Sequence, residues 1–74
     1  MCCMNWAMLE DQLAAAERHL AEAEGHVAYQ RELVAQLERE RHDVAQATRL
    51  LAQFEEVLAM RIADRDRVRK ALGL

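Results

Sequence analysis

The sequence predicts an all-α protein: a two-helix antiparallel hairpin, with helices over about residues 5–40 and 44–72, built to self-associate into a coiled-coil-like or four-helix bundle. Three observations predict it. Proline is absent and the 74 residues hold only two glycines, Gly25 and Gly73, while alanine, leucine, glutamate, glutamine and arginine dominate. That is the composition of long helices rather than of sheets. Apolar residues recur at alternating steps of four and three, the spacing of a coiled-coil stripe. Midway along the chain that stripe changes phase, which suggests a reversal of direction.

The first helix is justified by five dyads, each a large apolar residue followed by alanine: Trp6-Ala7, Leu13-Ala14, Leu20-Ala21, Val27-Ala28 and Val34-Ala35. The second seam position of each heptad runs Leu9, Ala16, Ala23, Gln30, Leu37. A helix from Asn5 to Glu40 on this pattern is about 50 Å long. If it continued, the next dyads would fall on Arg41-His42 and Thr48-Arg49, which are polar. A new array starts instead at Val44-Ala45, Leu51-Ala52 and Leu58-Ala59, with Ala47, Phe54 and, more loosely, Ile62 as companions.

A slip of three residues is either a stammer in one continuous coiled coil or a turn. Local chemistry favours the turn. Asp43 is a good N-cap, and Gln46 three residues on completes a capping-box-like pair. Arg39 and Arg41 sit where cations suit the end of a helix. No glycine stands at the C-cap, so Arg41 or His42 has to close the turn. Charge supports the same reading. Residues 5–24 carry five acids and one base, a net −4, and residues 60–74 carry five bases and two acids, a net +3. A hairpin lays these segments side by side. Each exposed pair contributes only about 0.2–1 kcal/mol, so the charges select orientation more than they stabilise.

The segments AERHLAEAEGHVAYQRELVAQLE, HDVAQATRLLAQFEE and ADRDRVRKAL, together covering roughly Ala14 to Leu72, resemble a group of short, uncharacterised helical proteins from alphaproteobacteria. Those relatives often carry glycine immediately before the His-Asp pair, where this chain has Arg41. The resemblance implies helical organisation; the group has no established activity to carry over.

Two helices alone enclose little. The expected self-association seam comprises Leu9, Leu13, Leu20, Val27, Val34, Leu37, Val44, Leu51, Phe54, Leu58 and Ile62. The dyad alanines widen the apolar stripe, and a wide stripe wants more than one neighbour. A small residue every seventh position also lets backbones approach closely. A dimer of hairpins is the expected partner arrangement, with an unknown protein partner as the other case.

Met1-Cys2-Cys3-Met4 offers soft ligands, but at a terminus expected to fray over residues 1–4 of a single 1–74 domain. His19, Glu22 and His26 share a stripe, yet the two histidines stand about 10.5 Å apart along the axis, too far to share one metal within a chain. The basic cluster Arg61, Arg65, Arg67, Arg69 and Lys70 could contact phosphate or an acidic partner. It is interrupted by Asp64 and Asp66, and an ion-pair role against Glu10, Asp11 or Glu17 is the stronger expectation. Serine is absent, no glycine-rich phosphate loop occurs and the only cysteines are Cys2 and Cys3. An enzyme is therefore not expected, nor a cofactor. No apolar run reaches the roughly 20 residues of a membrane span. A net charge of −3 is too mild for a nucleic-acid glove. The expected function is a non-enzymatic protein–protein interaction module, a small scaffold, adaptor or regulatory partner in the cytoplasm. The alternatives are a bundle binding nucleic acid through the basic end of the second helix, and a metal-binding bundle.

Overall fold

The computed structural model describes the backbone of residues 2–74 and the side chains of residues 6–74. Helix α1 spans Cys2–Arg39 and helix α2 spans Ala45–Ala71. The two pack against each other along their length as an antiparallel hairpin, and the described residues contain no strand. The helical backbone begins at Cys2, earlier than the expected start near residue 5, so residues 2–4 continue the helix rather than fray from it; Met1 and the side chains of residues 1–5 lie outside the described residues.

Helix formation follows from the absence of proline and the density of strong helix formers. Pairing follows from the stripe. On α1, Leu20, Ala23 and Val27 are buried, with Leu9, Leu13, Ala16, Val34 and Leu37 half-buried on the same 3–4 alternation. On α2 the inward positions are Val44, Ala47, Leu51, Phe54, Leu58, Arg61, Arg65 and Val68, all half-buried, and Leu72 just past the helix is buried. Ile62 is not among them. Counting three from Leu58 reaches Arg61 and counting four reaches Ile62; the alternation selects the former, and Ile62 falls on the flank at 38% exposure. A long arginine side chain can occupy a half-buried position of this kind because its aliphatic stem covers apolar surface while its charged end stays at the edge.

The chain reverses over residues 40–44. Arg41 takes the left-handed conformation, with φ of 62°. Its N–H donates to the Glu38 carbonyl at 3.1 Å, and the His42 N–H donates to the Leu37 carbonyl at 2.9 Å. These two bonds make a Schellman cap, the motif that usually places glycine at the left-handed residue. The far end of α2 closes identically, but with glycine. Gly73 has φ of 81°, its N–H donates to the Lys70 carbonyl at 3.0 Å, and the Leu74 N–H donates to Arg69 at 2.9 Å.

At the start of α2 the N-cap residue is Val44, and its own side chain makes no capping bond. Asp43 stands one position earlier than expected. Its Oδ1 accepts the Ala45 N–H at 2.9 Å, so it satisfies one of the unpaired amides of the first turn from outside the helix. Gln46 does not complete the box with it among the described residues.

The resulting rod measures 60 × 16 × 14 Å between Cα atoms, with a radius of gyration of 16.9 Å. A compact chain of this length would have a radius near 11 Å.

Candidate functional site

The middle of the seam is its driest part. There Gln30 is buried at 3% exposure, and its Nε2 donates to the Ala47 carbonyl of α2 at 3.0 Å. A single polar side chain inside an apolar seam disfavours other registers, because any slip would leave its amide without a partner. Gln30 therefore fixes how α2 lies on α1.

The two flanks of the seam differ. On one flank Arg31 of α1 pairs with Glu55 of α2 at 3.1 Å; both are largely exposed, so the pair contributes roughly 0.2–1 kcal/mol. Glu10, Glu17 and Glu24 continue that charged row toward the N-terminus at seven-residue steps. The dyad alanines Ala14, Ala21 and Ala28 lie beyond it, exposed, at three- and four-residue spacing from these charges.

The opposite flank carries His19, His26 and Leu33 on α1 and Leu50, Val57 and Asp64 on α2, again at seven-residue steps. His19 and Asp64 line one open cleft of about 370 Å³ together with Ala15, Ala16, Arg61 and Arg67, which places both rows on the same side of the rod. His26 packs on Phe54 with ring centroids 5.4 Å apart. Leu50 and Val57 are 40% and 39% exposed, and the same side presents Tyr29 and Met60, more exposed still. This flank is therefore apolar through its middle and polar at the end nearer the termini.

The basic cluster behaves differently from expectation. Arg65 Nε and a terminal nitrogen both donate to Asp66 Oδ1, at 3.0 and 2.9 Å, and Arg67 donates to Asp64 Oδ1 at 3.0 Å. These arginines are satisfied by carboxylates of their own helix, not by Glu10, Asp11 or Glu17. Neighbours at one and three residues reach each other without ordering a second element, so the local pair wins. Arg61, Arg69 and Lys70 form no ion pair among the described residues. The terminal end also has a shallow apolar cleft of about 250 Å³, where Trp6, Leu13, Leu72 and Leu74 meet.

His19, Glu22 and His26 all lie exposed on α1, and the described residues contain no group of three histidine, cysteine or acidic side chains set to hold a metal ion. Leu72 and Val68 were missed by reasoning from sequence. The signal was present: Leu72 lies two heptads after Leu58, with Arg65 interrupting the row.

The fold and its flanks define a short antiparallel two-helix hairpin whose distinctive surface is an apolar flank beside a thin core. Compared with known proteins, the chain matches no family model, no curated protein and no solved structure.

Proposed function

We propose that the protein is a non-enzymatic interaction module: a small helical scaffold, adaptor or regulatory partner that acts by presenting helix faces to another protein, and first of all to itself. The observation that carries this reading is the thinness of the core. Among the described residues only Leu20, Ala23, Val27 and Leu72 are buried apolar residues, and none of their side chains falls below 2% exposure. Single cores in chains of this size contribute little net stability, and oligomerisation is one of the standard remedies. No described helix is long and apolar enough to cross a membrane, so a bilayer-spanning role does not compete for the apolar flank.

The test is mass in solution by light scattering over a range of concentrations, together with thermal melts at the same concentrations. Assembly predicts a mass above 8.5 kDa and a melting temperature that rises with concentration. A sharply melting species at the monomer mass, with a midpoint indifferent to concentration, would overturn the reading.

A further inference from the structure

We propose that the open cleft lined by His19 and Arg61 is a binding site for a small phosphate monoester, held by the Arg61 guanidinium with Gln12, His19 and Arg67 as further donors. The site is distinct from the helix faces invoked above and does not depend on self-association.

The cleft exists because one rung of the repeat is left unfilled. His26 and Phe54 meet across the seam, and their rings, 5.4 Å apart, close the groove there. One heptad nearer the termini the corresponding residues are His19 and Arg61. The phenyl ring gives way to a guanidinium, and Ala15 and Ala16 on the facing helix are too short to fill the space. A volume of about 370 Å³ remains. That falls at the lower end of the roughly 300–1,000 Å³ of small-ligand sites.

Charge selects an anion. Arg61 is half-buried, yet among the described residues its side chain makes no hydrogen bond and no ion pair. The one carboxylate in the cleft, Asp64, accepts from Arg67 at 3.0 Å instead. Two guanidiniums and one carboxylate leave the lining at +1 with the histidine neutral. A partly desolvated cation without a counter-ion is unfavourable, and an entering anion relieves it. The placement of donors selects the kind of anion. Gln12 and His19 come from α1, Arg61 and Arg67 from α2, so the cleft is lined with donors on both walls. A carboxylate presents two oxygens in one plane, and a single guanidinium fork satisfies it. A phosphoryl group offers three terminal oxygens and up to two charges, enough to engage both walls. Arg67 uses one terminal nitrogen on Asp64 and keeps its other N–H donors. Ala15, Ala16 and Val68 supply an apolar surface for the organic part of the ester.

The experiment titrates the full chain with phenyl phosphate, inorganic phosphate and benzoate at constant ionic strength, following amide proton–nitrogen NMR shifts. Phenyl phosphate should give saturable shifts confined to residues around His19 and Arg61, and should bind more tightly than either other probe. Arg61→Gln should weaken it by about tenfold or more, the usual contribution of a hydrogen bond to a charged group. Arg61→Phe repeats the rung that His26 and Phe54 form. It should abolish binding while raising the melting temperature, so that loss of the site is not loss of the fold. Arg69→Gln, exposed and outside the cleft, should leave the affinity unchanged. Benzoate binding as tightly as phenyl phosphate would overturn the phosphoryl assignment, and inorganic phosphate doing so would overturn the ester. Shifts that rise without saturating, or affinity lost equally in Arg61→Gln and Arg69→Gln, would overturn the site and leave only diffuse attraction to a basic helix end.

Discussion

Arg41 and Gly73 occupy the same position in two copies of one motif, and the comparison gives a direct measure of what the turn costs. A left-handed residue with a Cβ is disfavoured by roughly 1–2 kcal/mol, and glycine returns part of that through its greater freedom in the unfolded chain. Arg41→Gly should therefore stabilise the hairpin by about 0.5–1 kcal/mol, read as a higher urea midpoint at constant slope. Asp43→Ala should cost about 0.5–1 kcal/mol, the lower part of the usual capping range, since its one bond to the Ala45 amide is exposed. A shift near zero in either variant would show that the turn is not held as described. Gln30 and Arg31 are sequence neighbours with opposite roles. Arg31→Ala should change stability by no more than about 0.5 kcal/mol, because its partner Glu55 returns to water. Gln30→Leu should be neutral or slightly stabilising, since the Ala47 carbonyl keeps its helical partner. Its cost should appear as heterogeneity in register, visible as multiple distances between labels on α1 and α2.

At the scale of the helices, the seam was readable wherever its residues were apolar. Leu9 through Leu37 and Val44 through Leu58 follow one alternation each, and the ten-residue step from Val34 to Val44 is what a reversal with a fresh register requires. Legibility failed where the seam holds arginine. Arg61 reads as a surface residue because the pattern records the charged tip and not the aliphatic stem beneath it, whereas extrapolation from Leu58 and Ile62 puts Arg65 and Arg69 near the seam, and only Arg65 is half-buried there. Ile62 was assigned inward on its hydrophobicity alone. The apolar flank was equally hidden, since Leu33, Leu50 and Val57 only share a side once the two helices are laid together. Replacing the interrupting cation tests this account: Arg65→Leu should extend the row from Leu58 to Leu72 and raise stability by about 1 kcal/mol, half of what full burial of leucine contributes. Arg69→Leu, on the exposed face, should not. Leu20→Asp places a charge in the driest stretch and should abolish helicity and assembly together.

At the scale of the whole molecule, Trp6 and Leu72 line one cleft although they stand near opposite ends of the sequence. Labels at these two positions should report a short intrachain separation, whereas an unbroken helix would hold them about 100 Å apart. The long, narrow shape also governs how the fold opens. The two helices meet along a single seam, so no part of the rod is shielded by a second layer, and the best-covered stretch is Leu20 to Gln30. Amide hydrogen exchange should therefore be graded rather than uniform, slowest around Val27 and faster toward both tips. A molecule that unzips from its tips presents proteases with short loosened lengths of chain while its waist is still closed, so trimming in a crude extract should nibble inward and leave the waist until last.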